Sequence, residues 1–207
     1  CVGNIYVGGT GKTPLTINIA KELAKRGKKP AIVRKYYKSH KDEYNMILEN
    51  YDHLILDKKR KLAINEAIEN KFDAVILDDG FQDYKIKKDL NILCFNSNQL
   101  IGNGFVFPSG PLREDLSSIK NVNIVVINGE KNKEFERKIL DINNNLKIYY
   151  SNYKPLNIED LKDKKLLAVS GIGNPENFFK ILKDNDLNLQ KTLIYPDHYQ
   201  FNKYEIQ

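Results

Sequence analysis

Tryptophan is absent from the chain, methionine occurs once and cysteine twice. The two cysteines, Cys1 and Cys94, lie far apart without metal-ligand spacing, which argues against a disulfide framework and against a zinc site. No apolar run approaches the ~20 residues that a membrane-spanning helix needs, and no signal peptide is visible. These absences favour a globular protein of a reducing, cytoplasmic compartment, with 207 residues and 41% hydrophobic side chains for one sizeable core.

Acidic residues are outnumbered by basic ones, 27 to 33, which leaves a formal net charge of +6. This excess is compatible with nucleic acid, an anionic membrane surface or a phosphorylated substrate as partner. It is equally compatible with an ordinary solvated surface rich in lysine. Composition alone therefore does not select a partner.

The stretch VGGTGKTP, residues 7–14, predicts a phosphate-binding loop. Its turn consists of Gly8, Gly9, Thr10 and Gly11. The backbone N–H groups of such a turn, together with the N terminus of the helix that follows, bind one anion. Lys12 suits the outer phosphates of a nucleotide, and the Thr13 hydroxyl suits a Mg²⁺ ion bound to them, as in a P-loop. Tyr6 stands where the full P-loop pattern has glycine, so a tight strand-to-helix turn without a ligand is the alternative.

Apolar strand-like runs alternate with amphipathic helical stretches along the chain. Strands are predicted at 4–7, 31–33, 54–56, 74–77, 92–95, 124–127, 148–150, 166–169 and 193–195, and helices from the loop to Gly27 and at 59–70, 132–141 and 175–183. Such alternation predicts an α/β fold with a mostly parallel twisted sheet and helices on both faces. Together with the glycine-rich loop, it indicates a P-loop fold with a small C-terminal lobe.

A second motif, AVILDDGFQD, places Asp78 and Asp79 directly after four apolar residues. A buried strand of this kind delivers carboxylates to the carboxyl edge of the sheet, where open α/β sheets bind ligands. Paired with the loop it predicts a Walker B strand, and Thr13, Asp78 and Asp79 are predicted to hold Mg²⁺. The preceding NKFD, residues 70–73, matches the text by which GTPases recognise guanine. It lies before the strand, at the opposite edge of the sheet, and is interpreted as a helix stop.

Two further segments carry candidate functional side chains. Arg113 follows Gly110-Pro111 in an irregular segment, and its guanidinium suits phosphate oxygens, although a solvated arginine on a rigid turn fits the pattern as well. Phosphoryl transfer to an alcohol needs a proton acceptor near the attacking oxygen. Asp42 with Glu43, and Asp197 with His198, offer such acceptors, and each pair also fits a solvated surface cluster.

In order and spacing, these motifs resemble those of the tetraacyldisaccharide 4'-kinases of lipid A biosynthesis. The resemblance rests on VGNIYVGGTGKTP, ILDDGFQD, GNGFVFPSGPLRE, GIGNPENFF and YPDHYQF, and it covers nearly the whole chain. It implies transfer of the γ-phosphate of ATP, with Mg²⁺, to the 4'-hydroxyl of a tetraacyldisaccharide 1-phosphate. It further implies a peripheral location at the cytoplasmic face of the bacterial inner membrane, the lipid A disaccharide precursor as partner, and no nucleic acid.

The resemblance also implies roles for individual residues around the nucleotide. It places residues 8–13 on the phosphates of ATP, with Lys12 also catalytic. Thr13 and Asp78 come near Mg²⁺, and Arg113 comes near the nucleotide. Residues 1–150 are assigned to a nucleotide-binding kinase core, and residues 151–207 to its continuation and the start of a smaller lobe, because the chain becomes polar over residues 150–165 and includes Pro155.

On the acceptor side, the resemblance makes Asp42 the general base and His198 its partner. The chain departs from the family here, because Val33-Arg34-Lys35-Tyr36-Tyr37 stands where the family has Ser-Arg-Gly-Tyr-Gly. The family's N-terminal membrane-docking helix and the stretch after its Asp-His motif are not matched, so the chain is expected to be a fragment. A soluble P-loop small-molecule kinase or ligase and a non-catalytic nucleotide-binding protein are the alternatives.

Overall fold

The computed structural model describes residues 1–173, 175–196, 199, 201 and 202. They belong to two compact units, Cys1–Ser151 and Asn152–Gln207. The strands of the first unit are β1 (Val2–Gly3), β2 (Pro30–Lys35), β3 (Leu54–Asp57), β4 (Ala74–Leu77), β5 (Ile92–Asn96), β6 (Ile124–Asn128) and β7 (Lys147–Ser151). Its helices are α1 (Lys12–Lys25), α2 (Lys41–Leu48), α3 (Arg60–Glu69) and α4 (Lys133–Ile142).

The strands of the first unit pair in parallel, as the alternating pattern predicts. One sheet has the order β1-β5-β6-β7 and another the order β3-β2-β4. A parallel bridge between Val2 and Asp78 joins β1 to the end of β4. The phosphate-loop strand and the strand that delivers the two aspartates are therefore neighbours, and both point their carboxyl ends at the same edge.

Helices cover both faces of this sheet, because alternate residues of each strand point to opposite sides. On β5, Leu93 and Phe95 pack into a cluster with Phe135 of α4, whereas Ile92 and Cys94 pack into a cluster with Ile17 of α1. On β2, the same alternation sends Ile32 to the cluster of α1, and sends Ala31 and Val33 to α3. The predicted sheet with helices on both faces is thus confirmed.

The second unit contains β8 (Leu166–Ser170), α5 (Pro175–Asp184) and β9 (Leu189–Ile194), and β8 pairs in parallel with β9. The sequence pattern locates β8 and α5 well but detects only the end of β9. Residues 190–192 of this strand are polar and exposed, so they carry no apolar signal. Among the described residues of both units, no helix is long and apolar enough to cross a membrane.

Two local predictions in the first unit are wrong. The strand expected at 4–7 is β1 at Val2–Gly3, because the next residues pair instead with an irregular loop: Arg113 N donates to Ile5 O at 2.6 Å and Val7 N donates to Pro111 O at 2.8 Å. The predicted helices also do not include Lys41–Leu48, where the structure forms α2; only Tyr44 and Ile47 of this helix are buried, so its apolar pattern is short.

The interpretation of NKFD as a helix stop is confirmed. Helix α3 ends at Glu69 with Asn70 as its C-cap, and Lys71 adopts a left-handed φ of 55°. The Asp73 carboxylate accepts a hydrogen bond from the backbone N–H of Lys29 at 2.7 Å. These residues precede β4 and lie at the edge of the sheet away from the phosphate loop.

Candidate nucleotide and metal site

The glycine-rich loop lies between β1 and α1, and the helix begins at Lys12. Gly11 is its N-cap with a left-handed φ of 88°, and Gly8 has a φ of 121°, values that L side chains rarely adopt. Because Gly11 has no side chain to cap the helix, the first N–H groups of α1 are left for a ligand anion. Glycine at these two positions therefore shapes an anion-binding turn.

The side chain of Asn4 stabilises this loop by hydrogen bonds. It is fully buried, and its Nδ2 donates to Tyr6 O at 2.6 Å, to Gly8 O at 3.3 Å and to Thr10 Oγ1 at 3.1 Å. Thr10, predicted as a phosphate-binding residue, thus engages its side chain with the loop itself. Sequence reasoning assigned Asn4 no role, because a single polar residue in an apolar run does not reveal which backbone atoms it meets.

Thr13 and Asp78, two predicted metal ligands, lie in direct contact. The Asp78 carboxylate is fully buried, and its Oδ2 accepts a hydrogen bond from Thr13 Oγ1 at 3.1 Å. Its Oδ1 accepts one from Thr16 Oγ1, also at 3.1 Å. The hydroxyl of Thr13 and a carboxylate oxygen of Asp78 therefore lie side by side at the first turn of α1.

The next residue, Asp79, has a different set of partners. Its φ is 53°, and its Oδ1 lies 3.7 Å from Lys12 Nζ and accepts a hydrogen bond from Arg113 NH1 at 2.9 Å. Its backbone carbonyl accepts a hydrogen bond from the guanidinium of Arg60. The two consecutive carboxylates thus serve separate halves of the site: Asp78 holds the hydroxyl of Thr13, and Asp79 holds the two cations.

The electrostatics of Lys12 and Asp79 follow from this pairing. Burial by itself would raise the pKa of the Asp79 carboxyl, but Lys12 and Arg113 outweigh it and hold the pKa below its ordinary value. Burial lowers the pKa of Lys12, and the Asp79 charge opposes that change. A half-buried carboxylate between two cations keeps both cations near the loop.

Arg113 reaches this place because its segment is anchored beside the loop. The backbone hydrogen bonds to Ile5 and from Val7 form an antiparallel bridge between Tyr6 and Leu112. Leu112 is fully buried, so the residue after it emerges at the sheet edge. The weak sequence signal of a lone arginine after Gly-Pro becomes specific only through this pairing.

Arg34, at the end of β2, is the main site residue that sequence reasoning missed. Its buried guanidinium pairs through NH1 with Asp78 and lies 3.2 Å from Thr13 Oγ1. Its NH2 pairs with Glu43, whose carboxylate is also 3.1 Å from His40 Nδ1. The available signal was an arginine closing an apolar strand, which puts its charge at the ligand-binding edge of a parallel sheet.

The predicted acid–base pair is described only in part. Asp42 lies on the exposed side of the first turn of α2, directly before Glu43. Its role as general base stays a prediction. Asp197 and His198 lie outside the described residues.

The side chains present fit a nucleoside triphosphate with its Mg²⁺. Lys12, Arg113 and the N terminus of α1 supply positive charge for phosphates, and Thr13 with Asp78 supplies the oxygen ligands that Mg²⁺ prefers. Among the described residues, no group of three or more His, Cys, Asp or Glu side chains could hold a metal ion. In nucleotide sites Mg²⁺ is bound by one or two protein oxygens together with the phosphates, so such a group is not required.

Comparison with known proteins gives concordant results. The family described as LpxK, Tetraacyldisaccharide-1-P 4'-kinase, matches residues 1–207. The Tetraacyldisaccharide 4'-kinase of Pelagibacter ubique is 44% identical over 206 residues, covering 98% of this chain and 65% of the relative. That of Haemophilus influenzae is 33% identical over 226 residues, covering 100% of this chain and 67% of the relative. The chain thus spans about two thirds of the length of these relatives.

Two solved structures share the fold. LpxK from Aquifex aeolicus, crystallised as an "apo" form in complex with ATP, has a TM-score of 0.69 at 24% identity, covering 98% of this chain and 72% of that one. The Signal Recognition Particle 54 kDa protein from Aeropyrum pernix, in complex with GDP, has a TM-score of 0.51 at 10% identity, covering 89% of this chain and 48% of that one. At these identities the likeness concerns the fold alone, and it confirms the predicted P-loop α/β class.

Proposed function

Because the chain belongs to the Tetraacyldisaccharide-1-P 4'-kinase family, we propose that its protein transfers the γ-phosphate of ATP to the 4'-hydroxyl of a tetraacyldisaccharide 1-phosphate. The names of its relatives support this substrate. The proposal depends on two contacts that lie at one edge of the sheet. Thr13 is hydrogen-bonded to Asp78, and Lys12 and Arg113 form ion pairs with Asp79. Residues 1–150 form the proposed kinase core, and residues 151–207 continue it.

Nucleotide binding is assigned to the loop and its two cations. The phosphates of ATP would accept hydrogen bonds from the backbone of residues 8–11 and from the N terminus of α1. Lys12 and Arg113 lie on the Asp79 carboxylate, within reach of anions bound at this loop. Their charge would stabilise the negative charge that spreads over the transferred phosphoryl group, which is the main catalytic contribution in phosphoryl transfer.

The oxygens of Thr13 and Asp78 are the proposed ligands of Mg²⁺. Mg²⁺ bound with ATP supplies neutralisation of the β- and γ-phosphates. Thr16, which donates to the other oxygen of Asp78, would keep the carboxylate oriented. Asp79, whose carboxylate oxygen contacts Lys12 and Arg113, would keep these two cations close to the bound phosphates.

Proton transfer is assigned to Asp42. As the 4'-oxygen forms its bond to the γ-phosphorus, the bond from phosphorus to the ADP oxygen breaks and the hydroxyl proton passes to the carboxylate of Asp42. His198 would orient this carboxylate. The support from the structure is the position of Asp42 in the first turn of α2, next to Glu43, which pairs with Arg34.

The net charge of +6 supports a peripheral location on an anionic membrane surface, at the cytoplasmic face of the bacterial inner membrane. A disaccharide with acyl chains and a 1-phosphate is presented by such a surface. Basic residues would then attract the protein to the same surface that holds its substrate.

The proposal is tested by incubating the protein with ATP, Mg²⁺ and a tetraacyldisaccharide 1-phosphate, and by identifying products by mass spectrometry. A product heavier by one phosphate on the distal sugar supports it, provided that the Lys12→Ala variant forms this product far more slowly. Water-soluble sugars and nucleosides are offered in parallel reactions. Transfer to these alone would indicate a small-molecule kinase, and ATP binding without transfer to any acceptor would indicate a nucleotide-binding protein.

A further inference from the structure

Arg34 occupies the place where the proposed metal ligands converge. Thr13 Oγ1 donates to Asp78 Oδ2 at 3.1 Å, and NH1 of Arg34 contacts both of these oxygens. The guanidinium is thus a cation on the two groups that would hold Mg²⁺. An arginine and a divalent ion at the same pair of oxygens would repel each other, so one must leave when the other binds.

The burial of Asp78 explains why a cation is present there. A fully buried carboxylate is costly unless it is paired, and removal of one partner from a buried ion pair is strongly destabilising. Arg34 is itself buried at the end of a central strand. In the nucleotide-free protein it neutralises Asp78, and a bound divalent ion would neutralise the same charge.

The other half of the guanidinium contacts helix α2. NH2 pairs with Glu43, and His40 Nδ1 lies 3.1 Å from the same Glu43 oxygen. Glu43 directly follows Asp42 in the first turn of α2. One planar side chain therefore connects the Thr13–Asp78 pair with the helix that carries the proposed base.

We propose that Arg34 is the built-in counter-ion of the Thr13–Asp78 pair, that the divalent ion arriving with ATP displaces its NH1, and that its NH2 stays on Glu43. Arg34 is then a positioning residue. When ATP and its metal ion bind, the guanidinium would move, and its NH2 contact with Glu43 would shift α2 and with it the carboxylate of Asp42. This inference rests on the proposed function and adds an order of events to it. Arg34 would leave the Thr13–Asp78 pair as the ion binds, and Asp42 would take its final position after that.

Binding of Mn²⁺, a paramagnetic substitute for Mg²⁺, tests the displacement without any assay of activity. The signal of free Mn²⁺ in electron paramagnetic resonance gives the affinity of nucleotide-free protein, and circular dichroism gives the melting temperature. We expect Arg34→Gln to melt lower than the parent without metal, to bind Mn²⁺ at least about tenfold more tightly, and to regain stability when Mn²⁺ is added. Arg34→Lys, which keeps the charge, is expected to stay close to the parent.

Two further variants establish where the gained ion binds. Arg60→Gln removes another guanidinium that is only partly exposed, one that pairs with Asp83 and the Asp79 carbonyl, and it should lower the melting temperature with no gain in Mn²⁺ affinity. The double variant Arg34→Gln/Asp78→Asn should lose the affinity gained by Arg34→Gln. A merely structural role of Arg34 predicts no gain in metal affinity from its removal.

A second measurement uses the unaltered protein and does not depend on the folding of a variant. In a sample labelled with ¹⁵N-arginine, Arg34 guanidinium signals should shift with Mg²⁺ and a non-hydrolysable ATP analogue, and remain in place with the analogue and a chelator. Hydrogen exchange of residues 41–48 should change under the same condition only. Unchanged Arg34 signals would overturn the inference.

The outcomes separate this inference from the proposed function. If the parent protein binds Mn²⁺ together with ATP but Arg34→Gln gains no affinity, the displacement is wrong and the kinase proposal stands. If the parent protein binds no divalent ion even with ATP, the displacement and the proposed metal site both fail.

Discussion

The hydroxyl of Thr13 donates a hydrogen bond to the buried carboxylate of Asp78 at 3.1 Å, although the two residues are 65 positions apart. The contact exists because β4 lies beside β1, so that the residue after β4 meets the first turn of α1. Two motifs that are each modest in the sequence thus form one site.

Lys12→Ala is expected to lower kcat for phosphoryl transfer by about 10²- to 10³-fold, the effect of removing one charge-stabilising donor from a transition state. The fold should persist, because Asp79 retains Arg113 as a partner. Lys25→Ala, a change in the same helix at an exposed lysine that pairs with Glu22, serves as the control and should leave kcat unchanged. Equal activity of Lys12→Ala and Lys25→Ala would contradict the P-loop assignment.

Thr13→Val is expected to raise the Mg²⁺ concentration that gives half-maximal activity, because valine keeps the shape and removes the ligand oxygen. Thr13→Ser should restore the requirement. Thr16→Val is the matched comparison: it removes the hydrogen bond to the other oxygen of Asp78, should cost about 1–3 kcal/mol of stability, and should raise the Mg²⁺ requirement less than Thr13→Val does, because Thr16 orients a proposed ligand and does not itself bind the ion. A titration of activity with Mg²⁺ and urea unfolding of each variant check both effects. An identical Mg²⁺ requirement in Thr13→Val and Thr16→Val would exclude Thr13 as a ligand.

Cys94→Ala is expected to flatten the loss of stability at alkaline pH. Burial raises the pKa of the Cys94 thiol to about 12, whereas the pKa of a thiol in an unfolded chain is about 8.5. Between these values the native state keeps a proton that the unfolded state has lost. The contribution of the Cys94 thiol to the free energy of unfolding is therefore fully present below the pKa of the thiol in the unfolded chain. It falls as the pH rises toward the pKa of the thiol in the folded protein.

Urea unfolding at several pH values between 8 and about 11 measures this slope. The cavity left by alanine lowers stability at every pH and does not alter the slope. Cys1→Ser, at the cysteine that is not buried, should keep the steeper decline of the parent protein. Parallel curves for the parent and Cys94→Ala would show that the thiol ionises freely in the folded state.

Asp42→Ala is expected to lower kcat by ~10²- to 10⁴-fold, the usual contribution of a positioned general base, with ATP affinity little changed. Glu49→Ala, at the other end of α2, controls for the loss of a negative charge on this helix. The Asp42→Ala/His198→Ala double variant should be about as impaired as the poorer single variant, since residues that act as one unit are not additive. Fully multiplicative losses would contradict the pair, and a near-normal kcat for Asp42→Ala would contradict the base.

Binding to vesicles is expected to depend on anionic lipid and to disappear at high salt. The proposed attraction is between the net charge of +6 and the anionic lipid surface, and salt screens it. Co-sedimentation with vesicles of neutral lipid, and with vesicles containing anionic lipid at low and high salt, measures it. Binding to neutral vesicles that resists salt would indicate an apolar docking surface in place of charge.

Much of the fold was predictable because its signals are local. The apolar runs of β2 to β6 and the glycine-rich turn before α1 each reveal their structure within a few residues. Helix α2 was not predicted because its local signal is weak: only two of its residues, Tyr44 and Ile47, are buried. The loop pairing at Tyr6 and Leu112 joins residues far apart in the sequence, and no local pattern reports it.

The sequence by itself determined that Lys12, Thr13, Asp78 and Asp79 meet at one edge of a parallel sheet, because a P-loop and an apolar strand ending in aspartates have fixed directions. Only the tertiary structure decided which partner each residue takes. Asp78 faces Thr13 and the cation of Arg34, whereas the left-handed φ of Asp79 leads its carboxylate to Lys12 and Arg113. These pairings depend on the order of the strands and on the φ angle of Asp79, because both determine which side chains come within contact distance.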